Sequence, residues 1–183
     1  QPHVSIASLP GMADRTVITS GLSKTFSVTG WRIGWAIAPA ALTGGIRKIH
    51  DFLTVAAPTP FQDAGVVALS MPPASYAALA ADYQAKRDLM LDILARHGFT
   101  TYRPGGAYYV MADVEKFGFD TDTEFALYLV EDIGVATVPG SSFYMDPASA
   151  PKTIRFCFSK RTETLLEADR RLARLPVSAP YKA

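Results

Sequence analysis

Lys24 and Arg32 stand eight residues apart in SGLSKTFSVTGWRIGW (Ser20 to Trp35), and no other charged residue falls in that stretch. A solvated surface would carry more charge and a plain core would carry none. Lysine acts as a nucleophile when its amine is partly neutral, which burial or a neighbouring positive charge can arrange. Lys24 follows a short β-branched run and lies among Gly, Ser and Thr, so little bulk blocks the amine, and a buried setting is expected for it. Arg32 supplies a neighbouring charge and a planar fork suited to phosphate. The hydroxyls of Ser20, Ser23, Thr25 and Ser27 add further phosphate donors.

A buried lysine beside an anion-binding arginine is what a pyridoxal phosphate site requires: the lysine forms a Schiff base with the aldehyde and the arginine neutralises the phosphate. Taken singly, Lys24 would be a solvated lysine and Arg32 half of a structural ion pair. Ser23-Lys24-Thr25 also ends like a phosphate-binding G-K-[ST] loop, but Ser23 and Ile18 occupy the places of its two glycines.

The elements that must position these residues are legible from periodicity. Thr16 to Gly21 reads as a strand, and Trp31 to Ala38, stopped by Pro39, as a second, buried one. Ala41 to Val55 has helical spacing, and a short helix follows over Phe61 to Leu69. Met71-Pro72-Pro73 marks a domain boundary, giving domains 1–72 and 73–183. A long amphipathic helix is expected over Ser75 to His97, closed by Gly98. Phe99 to Arg103 and Ala107 to Ala112 flank the turn Pro104-Gly105-Gly106 as paired strands. Thr121 and Glu124 form a capping-box pattern for a helix ending before Gly134, and Val135 to Val138 reads as a short strand. Thr153 to Phe158 alternates, placing Ile154, Phe156 and Phe158 on one face and Arg155 and Cys157 on the other. A last helix runs from about Thr162 to Arg174. The sum is an α/β chain, with buried parallel-type strands first and a smaller α+β unit after them.

The segment S-K, five residues, then G-W-R-I-G resembles the lysine motif of the class I/II aminotransferases, which are fold-type I pyridoxal-phosphate enzymes. Lys24, Gly30, Arg32 and Gly34 all match, and the resemblance makes Lys24 the Schiff-base lysine and Arg32 the phosphate ligand. Y-R-P-G-G-A-Y-Y-V (Tyr102 to Val110) resembles the family's hairpin, which makes Tyr108 a residue facing the substrate. V-A-T-V-P-G-S-S-F is similar to the loop before the last active-site strand, and I-R-F-C-F to that strand, which assigns Arg155 to the substrate α-carboxylate. Where many relatives place a phosphate-binding serine, three positions before the lysine, this chain has Gly21, which leaves Ser20 or the backbone to serve.

The resemblance implies the C-terminal part of a fold-type I large domain, mainly parallel sheet, followed by the small α+β domain. The family's N-terminal part carries a Gly-rich phosphate loop, a ring-stacking aromatic, an asparagine, a tyrosine and the aspartate that pairs with the pyridine nitrogen. The chain is therefore expected to be a fragment, inactive alone, of a homodimeric enzyme that moves an amino group from an amino acid to a 2-oxo acid. Members preferring dicarboxylates often use a second arginine near Thr54 to Phe61; none occurs here, which favours neutral or aromatic substrates. Two other readings share these motifs: a different fold-type I reaction such as a β-lyase, and an aminotransferase-like sensor domain of a transcription regulator.

Composition narrows the partners. Net charge is +1 with basic residues scattered, which gives no reason to propose nucleic acid or a membrane surface. Apolar runs stop well short of the ~18 residues a membrane helix needs. Cys157 is the single cysteine, which excludes an internal disulfide framework and suits a reducing, cytoplasmic setting. His3, His50 and His97 are too widely spaced to suggest a metal site.

Overall fold

The computed structural model describes residues 3–176, which form two compact units meeting between Ser75 and Tyr76. In the first unit, β1 (Ile18–Gly21) and β2 (Gly34–Ile37) pair antiparallel, with Ser20 opposite Trp35 and Gly21 opposite Gly34. The expected parallel pairing is absent among the described residues. The connection 22–33 doubles back through a 3-10 turn, Thr29–Trp31, with no crossover helix to carry a parallel strand. A Cβ on Gly21 would lie 2.9 Å from the Ile33 carbonyl oxygen, and one on Gly34 would lie 2.7 Å from that of Ser20. The close approach of the two strands therefore demands glycine, and no serine fits at position 21 on this backbone.

β2 was expected to be buried, yet Ile37 is 59% exposed. The apolar side chains that this unit takes inside are Leu22 and Ile33, both on the connection rather than in the strands. Two helices follow, α1 (Ala40–Leu53) and α2 (Thr59–Leu69). Pro60 sits in the first turn of α2, where a missing N–H costs nothing, so Pro58 and Pro60 start the helix as well as breaking the chain before it. Gly65 of α2 lies against Leu22, and Phe61 stacks on Trp31 with ring centroids 4.8 Å apart. The helices otherwise leave Phe52, Leu53, Val66 and Val67 exposed.

The second unit has a true core. Helix α3 (Pro73–Arg96) buries only Met90, Ile93 and Leu94, so its apolar stripe is effective in its C-terminal turns alone. Gly98, at φ +80°, lets the chain leave α3 in the left-handed conformation. Strands β3 (Thr100–Tyr102), β4 (Tyr109–Asp113), β5 (Val138–Pro139) and β6 (Thr153–Cys157) form an antiparallel sheet in the order β3-β4-β6-β5. Its inner face presents Val110, Ala112, Ile154 and Phe156. Phe125 from α4 (Asp122–Tyr128) and Leu165 and Leu172 from α5 (Thr162–Leu172) complete the cluster. Each such side chain contributes about 2 kcal/mol on burial.

Thr121 and Glu124 make both hydrogen bonds of the expected capping box. The helix then widens into a π-type turn, Leu129–Ile133, and Val135 N–H donates back to Leu129 C=O at 2.7 Å. That bond takes the backbone that the expected strand 135–138 needed, and the strand shrinks to Val138–Pro139. Ion pairs close the outside. Asp169 on α5 meets His97 Nε2 at 2.7 Å and Arg96 at 2.6 Å at the end of α3. Hydrogen bonds from Arg170 and Arg171 hold the Glu167 carboxyl down at about 2.

The β3–β4 hairpin contains a surprise. Gly105 and Gly106 would be the natural hosts of a left-handed turn residue, but Ala107 takes it, at φ +59°. A side chain pays roughly 1–2 kcal/mol there. Ala107→Gly is therefore expected to raise stability by about 1 kcal/mol, read as a higher urea midpoint at unchanged slope. An unchanged or lower midpoint would show that the turn is not strained.

Candidate active site

Lys24 and Arg32 share the connection between β1 and β2. Thr29 ties Arg32 to the backbone of Ser23: Arg32 Nη1 donates to Thr29 C=O at 3.0 Å, and Thr29 Oγ1 donates to Ser23 C=O at 3.0 Å. Arg32 itself adopts the left-handed conformation, φ +56° and ψ +40°. A non-glycine residue held there marks strain that the surrounding structure must support. Lys24 and Arg32 are both exposed, and so is Ser20 on β1. The expected burial of Lys24 is thus not met in this chain: of its connection only Leu22 and Ile33 turn inward, and the hydroxyl-rich residues around it have no apolar partner to drive them inside.

In the second unit, Arg155 projects from β6 on the face opposite Ile154 and Phe156, as the alternation predicts. Its guanidinium carbon lies 4.0 Å from the ring centroid of Tyr109 and 4.7 Å from that of Phe143. Tyr108, the aromatic singled out in the sequence, packs against Tyr83 and Tyr109, and its carbonyl accepts from Phe158 N–H. The Tyr108 hydroxyl beside Tyr109 holds that phenol above its usual range. Tyr109 and Phe143 escaped the sequence reading. The signal for Tyr109 was available in strand parity, since it lies two residues from Met111, the cross-strand partner of Arg155. Phe143 comes from a distant loop and had no such signal.

The donor set fits pyridoxal phosphate. Among the described residues no carboxylate pairs with Arg32, and of its five N–H donors one is recorded as spent, on Thr29. An accessible primary amine and an arginine free of acidic partners are what an aldehyde-bearing phosphate monoester would meet. Among the described residues no cluster of three or more His, Cys, Asp or Glu could hold a metal ion.

The sequence profile of one family, aminotransferase class I and II, matches residues 2–172, and the chain belongs to that family. A probable N-succinyldiaminopimelate aminotransferase of Mycobacterium tuberculosis is 40% identical over 180 residues, covering 93% of this chain and 45% of the relative. Methionine aminotransferase of Escherichia coli is 37% identical over 175 residues, covering 96% and 45%. The solved structure of N-succinyldiaminopimelate aminotransferase from M. tuberculosis superposes with a TM-score of 0.87 at 39% identity, covering 96% of this chain and 46% of that one. The chain thus spans a little under half the length of the relatives it matches.

Proposed function

We propose that the whole protein is a pyridoxal-phosphate-dependent aminotransferase, active as a cytoplasmic homodimer, to which this chain contributes the C-terminal part of the large domain and the small domain. The observation that supports the reading is the single connection bearing both Lys24 and an Arg32 that has no acidic partner among the described residues, with Thr29 bonding Arg32 to the backbone of Ser23. Bound pyridoxal phosphate supplies an aldehyde and an electron-withdrawing ring, which make the Cα proton of an attached amino acid removable.

Each residue then has a stated task. Lys24 Nζ would hold the cofactor through its aldehyde and would carry the proton at the substrate Cα as general base. Arg32 offers its fork to the phosphate, with Ser20 as a further donor. Arg155 takes the substrate α-carboxylate; for Tyr108 only the family resemblance supports a place facing the substrate, since its ring packs against the core cluster. Gly21 cannot supply the hydroxyl found in many relatives, and the strand contact at Ile33 explains why. The chain alone is expected to be inactive, because the groups that would hold the ring itself belong to the family's other half.

The segment 54–61 holds no arginine, which supports neutral or aromatic donors over dicarboxylates. A panel of amino acids offered to the whole protein with a 2-oxo acid acceptor tests this. Transfer from neutral or aromatic donors is expected to exceed that from aspartate, and a marked preference for aspartate would overturn the substrate reading. Elimination products in place of transamination would favour the β-lyase alternative.

A further inference from the structure

Arg155 is held in an unusual way. Among the described residues no carboxylate pairs with it, and its Nε is buried without a hydrogen-bond partner. A half-buried cation without a counter-ion is costly unless something else compensates. Here the guanidinium lies over two aromatic faces, Tyr109 at 4.0 Å and Phe143 at 4.7 Å. Ring faces attract the cation but do not occupy the in-plane N–H donors, so the fork stays available to a planar acceptor such as a carboxylate.

Both rings are fixed by the fold. Tyr109 is the first residue of β4, opposite Cys157, and therefore shares a sheet face with Arg155 on the neighbouring strand. Phe143 ends the short 3-10 turn Gly140–Phe143. That turn is pinned by Asp122, the first residue of α4, which is only 3% exposed. Asp122 Oδ2 accepts from Ser141 N–H at 2.8 Å, and Asp122 Oδ1 accepts from Ser141 Oγ at 2.7 Å. A buried carboxylate thus commits two hydrogen bonds to the turn that carries Phe143.

We propose that Tyr109 and Phe143 are positioning residues that hold Arg155 unpaired and oriented for a substrate carboxylate, with Asp122 setting Phe143 through Ser141. The proposal rests on the reading of Arg155 as the carboxylate-binding residue.

Its test uses the whole protein and propionate, a carboxylate without an amino group, so that binding is read apart from amino-group transfer. Tyr109→Leu and Phe143→Leu each weaken propionate binding by about tenfold, and Tyr109→Phe, which keeps the ring, restores it. With an accepted amino acid the loss sits in KM rather than in kcat, a split that general loosening of the fold would not give. Asp122→Ala, which removes both acceptors of Ser141, shows the same split, and an unchanged KM there would overturn the role of Asp122. Phe143 is 55% exposed, so its replacement probes the clamp without emptying the core. Arg155→Ala calibrates the result. If it leaves propionate binding and KM unchanged, the carboxylate reading itself falls. If it weakens both while Tyr109→Leu and Phe143→Leu bind like the parent, the clamp is overturned and the carboxylate reading stands.

Discussion

Replacing Lys24 by alanine in the whole protein is expected to slow amino-group transfer by at least about 10⁴-fold, because one side chain performs two tasks. In the proposed function its amine would both hold the cofactor and move the proton at the substrate Cα; general acid–base work of this kind is alone worth about 10²–10⁴-fold. The loss cannot be ascribed to unfolding. Lys24 is exposed on a loop, and no hydrogen bond of its side chain holds the two strands together, so the stability change should stay within about 0.5 kcal/mol. Lys24→Arg separates chemistry from charge: the guanidinium keeps the positive charge but cannot act as a nucleophile or base at neutral pH. It should therefore be as inactive as the alanine variant. Retained transfer in either protein would move the nucleophile elsewhere.

Arg32 is expected to control cofactor affinity, and its backbone makes a second effect separable. Losing two charge-assisted hydrogen bonds to phosphate, at about 1.5 kcal/mol each, raises the dissociation constant of pyridoxal phosphate by about 100-fold in Arg32→Ala. Arg32→Gly should lose the same affinity. Because position 32 sits at φ +56°, however, glycine relieves a conformation that alanine still has to adopt. The glycine variant should thus be more stable than the alanine variant by about 1 kcal/mol, read as a difference in melting temperature measured without added cofactor. Equal melting temperatures would mean that the left-handed turn is not maintained. Equal cofactor affinity in the variants and the parent would remove Arg32 from the phosphate site.

Local chemistry was the most legible part of the sequence. The capping box at Thr121 and Glu124, the exit of α3 at Gly98 and the parity of β6 all depend on neighbours within a few residues, and each is found as expected. What the sequence concealed depends on distant parts of the chain. Val135 to Val138 has strand composition, but the bond from Val135 to Leu129 claims its backbone for the end of a helix. Ala107, expected to begin the second strand of the hairpin, instead takes a left-handed turn conformation, and β4 starts at Tyr109, in the register that β3 sets. Apolar strands near Lys24 suggested burial, yet burial requires covering elements, and the first unit covers little more than Leu22 and Ile33. The ring of Phe143 lies over Arg155 from a turn that Ser141 bonds to Asp122, a contact between residues 19 apart that no periodicity announces.

The most direct measurement is reduction of the cofactor linkage in place. The whole protein, loaded with pyridoxal phosphate, is treated with borohydride, digested with trypsin and mapped by mass. Arg15 and Arg32 are the flanking cleavage points, and a modified Lys24 is no longer cut, so the pyridoxyl group is expected on a single uncut peptide running from Thr16 to Arg32. A group found on Lys48 or any other lysine, or on none, would contradict it.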